Sequence, residues 1–578
     1  MNTIPIRYKL RSLLGRPLRR SLSAGRERFL SVAGKGAARA QRDVLRDLLR
    51  LNAGSQFARD FGLSPEMSPE EFRHNVPVCD YETYRPYVDR MARGEHQALL
   101  GPENRLLMFA ITSGTTSQSK LIPVTSRFLS DYRTGWQTWG VGLYSMFPTL
   151  PDLNVVQIAS SHRKYLTEGG TPCGNISGLV ASMQNPVVRS LYTIPSGVAE
   201  IASPELKRRM TLALAMSDPT VGMFVTANPS TLLQLLEHIR CSTESVLRDI
   251  QDGLQRFVTL PGSQGTQLRK RLKPNPARSR ELQRILQQRG SLRVRDIWPF
   301  LNLLAVWTGG SAGAYIGHLQ QLCEGITICD HGLHASEGRM TMPITPDTSA
   351  GILEVQTHYF EFIPLREADS ANPIVLDASQ LQEGEEYYIL LTTSSGFCRY
   401  NIRDVVRCVG HYGQAPMLEF RHKGAHISSI TGEKLSESQV VEAVQAAQVN
   451  CGLSTTLYTL TPEWDDSPGY TLYVDLRREA EGRQLETFAA EVEAQLCFRN
   501  EEYREKRGTG RLRPVQTRRL PESAWTALLQ TRLQRSGGSL EQYKHPCLMP
   551  DPDFRKVFLE ACGLSPENAD TRVDASRN

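Results

Sequence analysis

The sequence predicts an α/β protein in which a large N-terminal domain of mixed sheets and helices is followed by a smaller α+β domain. Three observations predict it. Strand-like apolar runs alternate with helical segments, most plainly where IWPFLNLLAVWTGG, AYIGHLQQLCEG and ITICDHG follow one another as a βαβ unit. The pattern changes at RHKGAHISSITGEKLSESQVVEAV, where a polar stretch gives way to an amphipathic helix carrying Val440, Val441 and Val444. The chain of 578 residues also exceeds the roughly 100–200 residues that one domain usually takes.

The first fifty residues hold Arg7, Lys9, Arg11, Arg16, Arg19, Arg20, Arg26 and Arg28, so the body beyond them is nearly balanced within the total of +6. A basic arm over 1–38 is expected as a solvated helix, although such arms also serve contact with nucleic acid or an anionic membrane. It lacks aromatic interleaving and any recognisable module, so no specific nucleic-acid partner is expected. Val44, Leu45, Leu48 and Leu49 follow helical spacing, and the Pro- and Tyr-rich VPVCDYETYRPYVDRM reads as an extended segment packed through Tyr81, Tyr84 and Tyr87. LLMFAIT, LIPVT, DLNVVQIAS and PTVGMFVTA are apolar enough for buried strands. Residues 260–291 are basic and turn-rich, then helical, and read as an exposed excursion. GILEVQTHYFEFIPL and YYILLTTSSGFCRYNIRDVVRCVG are strand-rich. A main domain over 39–424, a hinge over 425–433, a second domain over 434–560 and a polar tail over 561–578 are expected.

An apolar share of 40% and a charged share of 22% are ordinary globular usage and argue against wholesale disorder or a fibrous protein. Eleven cysteines scattered without CxxC pairs suit buried thiols in a reducing compartment, which favours the cytoplasm. No apolar run reaches the roughly 18 residues a membrane span needs, and no signal-peptide core is present. Neither an internal repeat nor a signal for oligomeric state is visible.

Chemistry concentrates in loops. ITSGTTSQSKLIPVT gathers Ser113, Gly114, Thr115, Thr116 and Ser117 and then delivers Lys120. A Walker loop would need GxxxxGK[ST] opening a helix, whereas Lys120 here leads into a strand. Taken alone, the stretch reads as a surface turn or as a loop whose N–H groups and hydroxyls wrap anionic oxygens while the lysine adds charge. GGSAG, Gly309 to Gly313, matches the G-x-S-x-G of a hydrolase nucleophile elbow, with Ser311 as nucleophile and His358, His411 and His422 downstream. Cys329, Asp330, His331 and His334 have no second ligand pair nearby, so a satisfied strand-end cluster is favoured over zinc.

TSGTTSQSKLIPVT resembles the phosphate-binding loop of adenylate-forming enzymes, and its Ser-Lys-Leu-Ile-Pro ending resembles the auxin-responsive acyl acid amido synthetases. VPVCDYETYRPYVDRMARGE, YFEFIPL and SLEQYKHP resemble segments of that family in the same order, over roughly residues 40 to 550. The resemblance implies an ATP- and acyl-acid-binding domain followed by a mobile lid. It implies that Ser336 and Glu337 of LHASEG hold the α-phosphate and Mg²⁺, with Leu333 standing where the family often has an aromatic residue. In CRYNIRDVV it puts Asp404 on the ribose hydroxyls and shows Arg403 in place of the usual glycine. It further implies that Gly309 and Gly310 let backbone approach the adenine, that Arg421 reaches the nucleotide, and that Lys544 of EQYKHP, on the lid, neutralises developing charge. The implied reaction uses ATP to turn a carboxylic acid into acyl-AMP and then passes the acyl group to an amine, most naturally an amino acid. Transfer to coenzyme A stays open, since the nucleotide motifs serve only the first half-reaction.

Overall fold

The computed structural model describes residues 4–112, 120–184, 186–367, 370, 372–424, 427–431, 433–464, 468–476, 482–520, 522–536 and 545–550. The apolar runs become strands because both of their faces are covered. Leu106–Thr112 pairs antiparallel with Lys120–Thr125 and parallel with Pro172–Gly174. Asn154–Gln157, Val221–Val225, Leu303–Ala305 and Thr327–Cys329 form a four-stranded parallel sheet. Its last two strands flank the helix Ile316–Leu322, which is the expected βαβ unit. Parallel strands buried on both faces read as continuous apolar sequence, as the two central strands Val221–Val225 and Leu303–Ala305 do.

The strand-rich block folds into a seven-stranded antiparallel sheet whose longest members, Tyr400–Tyr412 and Ala415–Lys423, are a hairpin turning at Gly413 and Gln414. Gly413 has φ +60°, the left-handed conformation that a two-residue turn requires. A smaller α+β domain follows. Ser436 and Gln439 form a reciprocal capping box that starts the helix Glu437–Cys451. Val440 and Val444 of that helix pack with Leu460 and Phe488 in a separate core beside the strands Thr455–Trp464 and Pro468–Leu476.

Three segments depart from expectation. VPVCDYETYRPYVDRM is not extended: Tyr81–Ala92 is a helix, because the Asp80 side chain accepts from Thr83 N and caps it, and Pro86 is accommodated inside. Residues 260–291 are largely exposed, as expected, but the stretch expected to be turn-rich is itself helical: two helices, Gly262–Arg271 and Pro276–Arg289, anchor on the body through buried Leu268 and Leu282. Even Arg278 is only 5% exposed, its Nε donating to Met216 O at 3.0 Å. The basic N-terminus is helical, over Ile6–Leu14 and Arg16–Lys35, and docks on the body through one face while Lys9, Arg16, Arg20 and Arg28 stay exposed. Phe29 and Ala33 are buried in the main core, and Arg11 donates to Asn154 Oδ1 at 2.8 Å and Leu153 O at 3.0 Å. Among the described residues the cysteines are free, and no helix is long and apolar enough to cross a membrane.

Candidate functional site

A cavity of about 720 Å³ lies between the N-terminal helices, the long helix Ser126–Met146, the ends of the parallel strands and the hairpin around Ser336. Its chemistry changes from one side to the other.

One side is aromatic. Thr125 accepts from Phe128 N and caps Ser126–Met146, which brings Trp136 and Trp139 to the cavity wall. Their rings meet edge to face at 5.4 Å, and His331 lies 5.3 Å from Trp136. Burial first, then the charges of His334 and Arg339, hold the His331 pKa well below its ordinary value, so the ring is neutral. Trp139 Nε1 donates to Asp330 O at 3.1 Å, and the Arg339 guanidinium sits 5.1 Å over Trp136. Gly135 makes room for that arginine, since a Cβ there would stand 2.5 Å from Arg339 Cδ.

The other side is a cluster of opposed charges. Strands His334–Ala335 and Gly338–Arg339 pair antiparallel, leaving Ser336 and Glu337 at the tip of the hairpin. Glu337 is 8% exposed; burial raises its pKa, Lys423 pulls it down and Asp404 pushes it up again. Asp404 and Lys423 face each other across the long hairpin, and Lys423 Nζ donates to Asp404 Oδ1 at 2.6 Å. Burial works against the lysine's charge, yet Asp404 and Glu337 together raise the pKa of Lys423. Lys120 pairs with Thr112 in the strand register at the mouth of the hydroxyl-rich loop. Its Nζ lies 5.2 Å from the Tyr81 ring, while Tyr81 Oη accepts from Leu121 N at 2.8 Å and fixes the strand beside it. Burial lowers the Lys120 pKa and Glu337 opposes the shift. The arrangement presents cations to an anionic ligand and carboxylates to hydroxyls or a hard metal ion.

The structure therefore brings Lys120, Ser336, Glu337 and Asp404 onto one cavity. Ser113, Gly114, Thr115, Thr116 and Ser117 lie outside the described residues, as does Lys544. Its neighbour His545 is described, buried, and on the cavity wall, with Nε2 2.9 Å from Thr459 Oγ1. Gly309 and Gly310 stand just behind the wall; a Cβ on Gly310, whose φ is +56°, would come 2.7 Å from Phe420 Cε1. Arg421 is not on the wall. Its guanidinium pairs with Glu442 at 2.8 Å and Glu386 at 3.2 Å, so it joins the sheet to the smaller domain.

Arg403 has φ +60°, so the backbone keeps the left-handed turn that a glycine there would adopt, and its side chain lines the cavity. Asp330 is the satisfied strand-end residue expected: its carboxylate accepts from Thr308 N, Thr308 Oγ1 and Gly332 N. Among the described residues no group of His, Cys, Asp and Glu could hold a metal ion unaided. Of the histidines downstream of GGSAG, His358 and His422 are buried and His411 is exposed. Sequence reasoning passed over Lys423, Trp136, Trp139 and His545. Only Lys423 had a usable signal, the two-residue turn that sets its register against Asp404.

Residues 26–328, 351–423 and 438–553 match, in that order, the models of the GH3 family N-terminal, central and C-terminal domains. The chain is 24% identical over 560 residues to the indole-3-acetic acid-amido synthetase GH3.3 of Arabidopsis thaliana, covering 90% of each chain. It is 24% identical over 569 residues to the 4-substituted benzoates-glutamate ligase GH3.12 of the same plant, covering 90% of this chain and 94% of that one. A solved structure of the GH3.15 acyl acid amido synthetase superposes with a TM-score of 0.80 at 23% identity, over 94% of this chain and 96% of that one.

Proposed function

This chain belongs to the GH3 family, and from that premise we propose how its cavity carries the family's reaction. The protein is an acyl acid amido synthetase, a ligase that forms a carbon–nitrogen bond through an acyl-adenylate. First, a carboxylate oxygen of the acid bonds to the α-phosphorus of ATP as the α,β-bridging P–O bond breaks, releasing pyrophosphate. Then the amine nitrogen bonds to the activated carbonyl carbon, the C–O bond to AMP breaks, and the proton of the nitrogen leaves to solvent.

The charged side of the cavity is assigned to the nucleotide. Lys120 meets the triphosphate as the loop of Ser113, Gly114, Thr115, Thr116 and Ser117 wraps it, and Ser336 donates to the α-phosphate. Asp404 accepts from the ribose hydroxyls, aligned by its ion pair with Lys423. Gly309 and Gly310 leave room for the adenine beside Trp307 and Phe420. Arg421 acts on the nucleotide only through the strand it sits on, since three carboxylates already claim its guanidinium.

Mg²⁺ fits the donor set. Glu337 offers one buried carboxylate facing the cavity, which suits a hard cation that takes its remaining ligands from phosphate and water. When bound, the ion neutralises phosphate charge. The Trp136–Trp139 side receives the acid, and flat aromatic acids such as those in the relatives' names match that chamber. Residues 434–560 act as a lid turning about 425–433, and Lys544 reaches the α-phosphate in the first half-reaction only.

The observation that carries this reading is the adjacency of the Lys120, Glu337, Lys423 and Asp404 cluster and an aromatic chamber in one cavity. Acid-dependent release of AMP, assayed with amino acids and separately with coenzyme A, tests it: amino acids support turnover. Turnover with coenzyme A alone overturns the acceptor. Lys544→Ala is expected to slow acid-dependent pyrophosphate formation by about 10²–10³ while a supplied acyl-AMP is still converted to amide. Equal loss in both assays removes Lys544 from the first step.

A further inference from the structure

The helix Ile6–Leu14 is amphipathic in the reverse of the usual sense. Ile6, Leu10, Leu13 and Leu14 fall on one helical stripe, and they are 75%, 54%, 46% and 84% exposed. Leu18, on the next helix, continues the stripe at 46%. The residues turned toward the protein are polar. Ser12 is buried, and Arg11 spends its guanidinium on Asn154, Leu153 O and Ser190 O. A helix whose only partner is its own domain turns its aliphatic stripe inward.

Charge surrounds the stripe. Between Met1 and Arg26 the chain carries seven Lys and Arg and no Asp or Glu. Lys9, Arg16 and Arg20 are exposed beside the leucines. On the other side of the same helical pair, Ser12, Gly15, Arg19 and Leu22 form part of the cavity wall, which Leu18 also reaches. The family match begins at residue 26, so the helix Ile6–Leu14 and the first half of Arg16–Lys35, which carry the stripe, precede the part of the chain that the family model describes.

We propose that the helices Ile6–Leu14 and Arg16–Lys35 are an interfacial element that seats the protein on an anionic lipid surface, with the leucine stripe in the acyl region and the cations at the headgroups. Aliphatic residues on one face with Lys and Arg around them are what in-plane membrane helices use. A second copy of the chain fits poorly, because pairing the stripe with itself would set uncompensated cations against each other. Nucleic acid would satisfy the cations but leave the row of leucines without a partner. The docked state would bring the N-terminal end of the cavity next to the bilayer.

Sedimentation of the full chain with vesicles tests this directly. Binding to mixed phosphatidylcholine–phosphatidylglycerol vesicles is expected, with little binding to pure phosphatidylcholine and loss as salt rises. Leu10→Asp with Leu14→Asp should weaken binding by about tenfold or more, since both side chains leave the acyl region. Arg16→Gln with Arg20→Gln should erase the preference for anionic vesicles. Neither Leu10 nor Leu14 lines the cavity, so pyrophosphate exchange with a water-soluble acid should be unchanged in the leucine variant and reports that it is folded. Absence of vesicle binding by the wild type overturns the proposal, as does equal binding by the leucine variant. A wild-type dimer that the leucine variant dissociates, or binding of nucleic acid in place of vesicles, also overturns it.

Discussion

Lys423 Nζ lies 2.6 Å from Asp404 Oδ1, so the carboxylate assigned to the ribose is already paired before any nucleotide arrives. Asp404→Ala should raise the KM for ATP by about tenfold to a hundredfold, the worth of a charge-assisted hydrogen bond, while leaving the KM for the acid in place. Unchanged ATP affinity, measured by calorimetry, would return Asp404 to the role of a strand partner for Lys423.

The second expectation concerns pH. Burial raises the Glu337 pKa and Lys423 restrains it, so the acidic limb of kcat/KM for ATP should lie above the usual carboxylate range. Activity that needs the ionised form is present above that limb and lost as pH falls through it. Removing the restraining cation in Lys423→Met should move the limb to higher pH. Glu337→Gln should abolish it and increase the magnesium needed for half-maximal rate. A limb that stays put in Lys423→Met would assign the titration to another group.

Arg403 holds a left-handed backbone that costs a residue with a Cβ roughly 1–2 kcal/mol. Arg403→Gly should therefore raise stability in urea by about 0.5–1 kcal/mol, the remainder being offset by the freer unfolded chain. It should also raise the KM for ATP, since a cation leaves the cavity wall. A variant that is less stable would show that the Arg403 side chain contributes packing worth more than the strain.

Arg421 and Glu442 join the large sheet to the helix Glu437–Cys451 at 2.8 Å, with their side chains 17% and 40% exposed. Solvent at the carboxylate limits the pair, and a double-mutant cycle with Arg421→Ala and Glu442→Ala should give a coupling of about 0.5–1 kcal/mol. A coupling of zero would mean that Glu386 and Glu419 hold the arginine without Glu442.

The parallel strands are legible in the sequence because burial on both faces leaves runs such as PTVGMFVTA with no polar alternation to misread. The helix Tyr81–Ala92 is not legible, since Pro86 and three tyrosines resemble an extended segment and only the Asp80 cap decides otherwise. Charge misleads at Arg278 and across the N-terminal helices, because a count of arginines does not say which carbonyls they reach. The pairing of Asp404 with Lys423 follows from the turn at Gly413 and Gln414 only because two register shifts, at Val405/Val406 and Cys408/Gly410, cancel. Those shifts leave no mark in the residues. Trp136, His331 and His545 come from three distant segments, and only the closed fold brings them to one cavity.

Gln445 Nε2, on the first helix of the smaller domain, donates to Gly313 O at 2.9 Å, in the loop that also supplies Ala312 and Tyr315 to the cavity. One loop thus touches the smaller domain on one side and the cavity on the other. Any coupling through it is thermodynamically reciprocal: the factor by which this contact tightens a bound ligand equals the factor by which that ligand favours the contact. Weakening the contact, as in Gln445→Ala, would loosen the link between the cavity and the smaller domain without touching a residue of the cavity wall.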